Sequence, residues 1–164
     1  MGEERYTYDA FISYRHLPLD MAVAKRLQEL LERYRPPRQL KTAHTDRIRR
    51  VFRDRTELPT SGDLGADIQK ALLQSRYLVV ICTEKTRESA WCMEEIRRFK
   101  AAHHGQNDRI LVLLASGDPQ DVFPEELRTE AYRQVRPDGS EVWLQREVEP
   151  VSADIRAETT GPSL

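Results

Sequence analysis

At 164 residues the chain has the size of one ordinary domain, long enough to bury a single core and too short for two well-developed ones. Apolar residues at 39% and charged residues at 32%, with no run near the length of a membrane span, describe a soluble globular domain and exclude a spanning or disordered chain. The formal net charge of -1 gives no overall pull toward nucleic acid or an anionic membrane, and neither is expected as a partner.

The opening residues, MGEERYTYD, contain acidic side chains and no apolar stretch, so they do not read as a signal peptide. Residues 6–14, YTYDAFISY, are rich in aromatic and β-branched types and predict the first strand, ending in the polar cluster Ser13, Tyr14, Arg15 and His16. Pro18 breaks the chain, and Asp20 can cap a helix whose Val23, Leu27, Leu30, Leu31 and Tyr34 share one face before Pro36 and Pro37 stop it. Residues 48–54, IRRVFRD, predict a second, weaker strand loaded with Arg49, Arg50 and Arg53. Those arginines have two readings: positive charge that protects a sheet edge from further pairing, or a phosphate-binding patch. Residues 55–65, RTELPTSGDLG, contain a proline, two glycines and no apolar period. They form a loop longer than most strand-to-helix connections, the kind that often serves as a lid or contact surface. Leu64, Ile68, Ala71, Leu72 and Ser75 then mark a second helix by their spacing.

The unbroken apolar run from Leu78 to Cys82 is too short for a typical helix and rich in β-branched residues, which predicts a central parallel strand covered on both faces. Ser89 stands where an N-cap would stand for the helix that follows. At about 100° per residue, Cys92, Ile96 and Phe99 form its buried stripe, while Met93, Arg97 and Lys100 point the other way. The same rotation separates two neighbouring glutamates. Glu94 falls on the solvent side, four residues before Arg98, as half of a surface ion pair. Glu95 projects between Trp91 and Phe99 at the margin of the apolar stripe, where loss of water tends to raise a carboxyl pKa and sharpen its response to nearby positive charge. The competing reading is a structural glutamate satisfied by an arginine from another element.

The helix ends at His103, His104 and Gly105, where imidazoles can meet the last carbonyls and glycine can take a left-handed turn. Residues 110–115, ILVLLA, predict another buried strand. Beyond it, residues 123–128 predict a short helix, residues 141–144 a short final strand after the turn at Pro137, Asp138 and Gly139, and residues 152–158 a last helix. Residues 1–158 are expected to form one domain, with 159–164 a tail or the start of a linker. The two cysteines, Cys82 and Cys92, lie on adjacent buried elements and read as reduced apolar fillers in a cytoplasmic protein. Neither has a partner at zinc-ligand spacing, so no metal is expected.

Alternating strands and helices with two fully apolar strands imply an α/β fold, a doubly wound five-stranded parallel sheet with helices on both faces. Strand order 2-1-3-4-5 fits, because the arginine-loaded second strand then lies at an edge. In such a sheet the ligand crevice opens where the winding reverses, outside the carboxyl ends of strands one and three. That topology brings Arg15, His16, Trp91 and Glu95 together. Neither a GxGxxG turn after a strand nor a GxxxxGK[ST] loop is present, which argues against a dehydrogenase or an ATPase.

The runs YDAFISYRH, VFRDRTELPTSGDLGADIQKAL and SRYLVVICTEKTRESAWCMEEI resemble the TIR (Toll/interleukin-1 receptor) domain in its bacterial form, over roughly residues 6–130. The resemblance implies a flavodoxin-like sheet. It also implies an NAD glycohydrolase, which cleaves the nicotinamide–ribose bond to give nicotinamide and ADP-ribose or a cyclic isomer, in bacterial antiphage signalling and activated by self-association. NAD would be the substrate, with no cofactor. By the same resemblance Glu95 would be catalytic, and Ser13, Arg15, His16, Asp54, Leu58, Ser89 and Trp91 would bind substrate, with residues 54–64 as a loop beside the site. The alternative is a non-catalytic module for contacts between TIR domains. The loop RTELPTSGDL departs from the animal adaptor form, which argues against a receptor-signalling role.

Overall fold

A computed structural model of the chain describes residues 6–33, 50–53 and 65–156. Its centre is the strand β3 (Ser75–Cys82), whose residues from Leu78 onward are all buried. Parallel partners flank it on both sides: β1 (Tyr8–Ser13), with Ser13 opposite Val80, and β4 (Ile110–Leu114), with Leu78 opposite Ile110. β2 (Val51–Arg53) pairs outside β1. Five parallel strands thus stand in the order β2-β1-β3-β4-β7, where β7 is Val151–Asp154. Ile48 and Asp54, the predicted limits of the second strand, lie outside the described residues.

Side-chain alternation assigns each helix to a face. Phe11, Leu78, Val80, Cys82, Val112 and Leu114 pack against α2 (Ala66–Leu73), α3 (Ala90–Ala102), α4 (Pro119–Val122) and α5 (Glu125–Arg128). Ala10, Ile12, Val79 and Ile81 turn to the other face, against α1 (Pro18–Arg33). This is the doubly wound, flavodoxin-like arrangement expected from the sequence. Two details of α1 differ from it. Pro18 begins the helix rather than breaking the chain, because its fixed φ and missing N–H suit a first turn. Asp20 lies inside that turn and is buried.

The end of α3 follows its sequence signals. His103 Nδ1 lies 2.8 Å from the Phe99 carbonyl, Gly105 N–H donates to Lys100 O at 2.7 Å, and His104 and Gly105 both adopt positive φ. A side chain at Gly105 would bring its Cβ within 2.9 Å of Ala131 Cβ, so this turn also sets the docking of the strand that carries Ala131, in the C-terminal part of the chain.

That element corrects the C-terminal third. The predicted final strand at residues 141–144 belongs to β6 (Glu141–Glu147), which pairs antiparallel with β5 (Thr129–Val135) in a separate hairpin. Its turn is closed by Asp138 Oδ1, which accepts from the Ser140 N–H and hydroxyl. The helix predicted at residues 152–158 is not formed where it can be compared: Val151–Asp154 is the strand that takes the fifth place in the sheet, alongside β4. Ladder pairing with a ready-made strand outweighs the local helix preference of ADIRAE. β4 is also less covered than its composition suggests. Leu111 is 39% exposed and its register partner Val151 62%, both on the α1 side. Among the described residues no helix is long and apolar enough to cross a membrane.

Candidate active site

The winding of the sheet reverses between β1 and β3, and their carboxyl ends carry the polar side chains of interest. Ser13 follows Phe11 by two residues, so it points to the same face, the one covered by α3. On that helix Ser89 is the N-cap; its hydroxyl accepts from Cys92 N–H at 3.2 Å and fixes where the first turn starts. Cys92, Ile96 and Phe99 are fully buried, which fixes the rotation of the helix about its axis. Glu95 is thereby directed inward: it is 2% exposed, and Ser13 Oγ donates to its Oε1 at 2.8 Å. The neighbouring Glu94 accepts from Arg98 Nε at 2.8 Å on the outer side, as its spacing implied.

Two thiols and a second carboxyl share this corner. Burial pushes the Cys92 thiol up to about 12, helped by the charge of Glu95 and opposed by hydrogen bonds from Ser89 and Ser13. Burial likewise pushes Cys82 up to about 12, with Cys92 and Asp20 adding to it. Both therefore stay protonated at neutral pH and are inert as nucleophiles.

Asp20, 2% exposed, is the site-adjacent residue that the sequence reading missed; spacing showed it only as a helix cap. Burial raises its carboxyl above the ordinary value, outweighing its own backbone N–H, the Thr83 hydroxyl, and the charge and backbone N–H of Arg15. It ties the exit of β1 to the exit of β3, with Thr83 Oγ1 at 3.4 Å from Oδ2. A carboxyl raised in the folded chain opposes folding once ionised, so its penalty is absent below the unfolded value and grows as pH rises through the folded one. Asp20→Asn should therefore shift Tm more favourably, relative to the parent, at pH 7 than at pH 4. A Tm difference that is flat with pH, or that falls toward neutrality, rejects this.

The other residues singled out from sequence are placed as follows. Arg15 Nη1 donates to Lys85 O at 2.8 Å and pairs with Glu88 at 3.2 Å, so it is latched onto the turn that follows β3. Glu88 is more than half exposed, and pairs of this kind contribute about 0–1 kcal/mol, so an anionic ligand could displace it. His16 is half-buried and stacks on Tyr14, with ring centroids 4.8 Å apart. Trp91 is only 6% exposed and belongs to the apolar core of the α3 face. The structure thus gathers Ser13, Arg15, His16, Ser89, Trp91 and Glu95 around the ends of β1 and β3. Asp54 and Leu58 lie outside the described residues.

Of the edge arginines, Arg49 lies outside the described residues, and Arg50 and Arg53 are occupied in local packing. Arg50 sits 5.0 Å over the Tyr8 ring, and Arg53 Nε donates to Gln28 Oε1 at 2.8 Å, which favours edge protection over phosphate binding. A cleft of 530 Å³ lies elsewhere, lined by Phe123, Glu125, Arg128 and residues 147–150. The Arg128 guanidinium there is bonded to the Pro119 and Gln120 carbonyls, and none of Ser13, Arg15, His16, Ser89, Trp91 or Glu95 lines this cleft.

Three comparisons place this geometry among known proteins. The family model described as TIR domain matches residues 10–142. A protein named NAD(+) hydrolase ApTIR, from Actinoplanes sp., is 37% identical over 114 residues. That match covers 68% of this chain but 14% of the Actinoplanes protein, so the chain corresponds to about one seventh of its relative. The TIR domains in the structure of the activated Roq1 resistosome directly recognizing the pathogen effector XopQ superpose with a TM-score of 0.52 at 23% identity, covering 70% of this chain and 61% of theirs. That likeness supports the fold. With the family model spanning most of its length, and with Glu95 seated at the winding reversal of a doubly wound sheet, the chain belongs to the TIR domain family.

Proposed function

We propose that this domain is an NAD glycohydrolase that cleaves the bond between nicotinamide and ribose, releasing nicotinamide and ADP-ribose or a cyclic isomer. The observation that carries the reading is the buried Ser13–Glu95 hydrogen bond at the crevice, which holds one carboxylate where water is scarce. The name of the Actinoplanes relative supports the same substrate.

The chemistry asks little more of the protein. Glycoside hydrolysis usually employs two carboxyl groups, one of which protonates the departing oxygen. Nicotinamide departs as a neutral amine from a cationic pyridinium, so no acid is required. What remains is the cationic character that develops on the ribose as the bond lengthens, until water, or for a cyclic isomer a nucleophile within the ADP-ribose itself, bonds to C1′; the attacking water gives its proton to solvent. A single carboxylate in a dry, preorganised site stabilises that charge far more than one in water. Glu95 fills this role and Glu94, paired outside with Arg98, does not. Arg15 takes a phosphate or ribose oxygen by exchanging its contact with Glu88.

We place the activity in the cytoplasm, in bacterial antiphage signalling, with self-association as the trigger. Exposed apolar residues on β4 and at β7, Leu111, Val151 and Ile155, favour a contact surface between domains. A pure interaction module would use the same surface without chemistry. Nicotinamide released per mole of protein, followed against protein concentration together with light scattering, separates the readings. Self-activation requires specific activity to rise as larger species appear. Constant specific activity removes the trigger, and no nicotinamide at any concentration leaves only the interaction module.

A further inference from the structure

We propose that Ser13 is the positioning residue of the reaction: its hydroxyl donates to Glu95 Oε1 and holds the carboxylate, rather than touching the substrate. The inference rests on the catalytic reading of Glu95 given above and assigns a role that neither the spacing nor the comparisons supply.

Both ends of the bond are immobilised. Ser13 is 1% exposed and terminates β1, where it is held in register opposite Val80 of β3. Glu95 lies on a helix whose inner face, through Cys92, Ile96 and Phe99, has no freedom to rotate. A glutamate has three side-chain torsions, and a carboxylate that samples them would present its charge to the ribose only part of the time. A charge-assisted hydrogen bond from a rigid strand selects one orientation before the substrate arrives. The same bond offsets part of the solvation the carboxylate loses on burial. Other titratable groups in this corner include Cys92 on α3, Cys82 on β3, Asp20 on α1, Arg15 and His16 at the exit of β1, and Lys85 and Glu88 after β3. The thiols are protonated at neutral pH, and the Ser13 hydroxyl, 2.8 Å from Oε1, is the donor to test.

The experiment compares the parent chain with Ser13→Ala and Ser13→Thr, each checked for folding by circular dichroism and thermal scans. Loss of one hydrogen bond to a charged group predicts that Ser13→Ala lowers kcat about 10- to 100-fold, with KM for NAD within about twofold of the parent. Ser13→Thr, which keeps the hydroxyl, should recover most of the rate. The acid limb of the kcat profile should move to higher pH in Ser13→Ala. Unchanged kcat in a folded Ser13→Ala overturns the proposal. So does a raised KM at constant kcat, which would make Ser13 a substrate contact. Equal impairment in folded Ser13→Thr also overturns it, because the defect would then follow shape and not the donor. A second readout needs no activity: the carboxyl carbon of Glu95, followed by NMR, should titrate at higher pH in Ser13→Ala than in the parent. Coincident titrations reject the positioning role even if NAD proves not to be the substrate, whereas a shifted titration in a chain that releases no nicotinamide rejects only the enzymatic reading.

Discussion

Replacing Glu95 by glutamine should reduce nicotinamide release from NAD by at least about 10²-fold while leaving the fold intact, a loss of the size seen when a single preorganised electrostatic contact is removed. Glutamine is the informative substitution because it keeps the volume of the side chain and an oxygen that can accept from Ser13, while it removes the charge and exchanges one carboxylate oxygen for an amide NH2. Glu95→Ala should lose at least as much, but it also leaves the buried Ser13 hydroxyl without this acceptor, and so mixes a folding cost into the result. The control lies one residue away. Glu94 accepts from Arg98 and pairs with Arg97 on the outer side of α3, an arrangement worth about 0–1 kcal/mol, so Glu94→Ala should keep its rate within about threefold. Rates and Tm for the four chains decide the matter. Glu95→Gln retaining a tenth or more of the parental rate would show that the charge is not what drives bond cleavage. Equal losses at Glu94 and Glu95 would mean that the helix, and not the carboxylate, had been damaged.

How well such a residue can be found from sequence depends on whether its environment is set locally. Glu95 and Glu94 are told apart by one helical step of rotation, once Ser89 fixes the start of α3 and Gly105 its end. The strands β3 and β4 were legible for a similar reason, since five consecutive apolar residues between polar breaks leave few alternatives, and β1 showed itself by its aromatic and β-branched residues. Burial by several neighbours at once was not legible. Met93 was expected to face outward, yet it is 7% exposed, because α3 has α2 on one side and α5 on the other and so buries more than one stripe. Lys100 was assigned to solvent; it extends its ammonium to the Glu126 and Thr129 carbonyls, which anchor the start of the hairpin. Asp20 looked like a cap and is instead enclosed between α1 and the exits of β1 and β3. The last third of the chain failed most clearly, since a four-residue strand such as VSAD has no periodicity of its own and exists only because β4 offers an edge.

Trp91 carries the second large expectation. By resemblance Trp91 would bind substrate, but at 6% exposure in the apolar cluster of the α3 face it is a principal core residue. Truncating a buried tryptophan costs about 3–5 kcal/mol, which for a domain of this size corresponds to a fall in Tm of roughly 6–20 °C. Trp91→Ala should therefore lose both stability and turnover, and its inactivity alone would say nothing about contact with the substrate. Trp91→Phe divides the two effects, because phenylalanine refills much of the space and should keep Tm within a few degrees of the parent. If Trp91→Phe then loses about tenfold or more in kcat/KM, the missing indole acts on the bound substrate. Parental kcat/KM in Trp91→Phe would limit the residue to shaping the start of α3 beneath Glu95. Thermal scans on Trp91→Ala test the premise itself: a Tm within about 2 °C of the parent would show that the ring contributes little to the core, and the packing account of this helix would have to be abandoned.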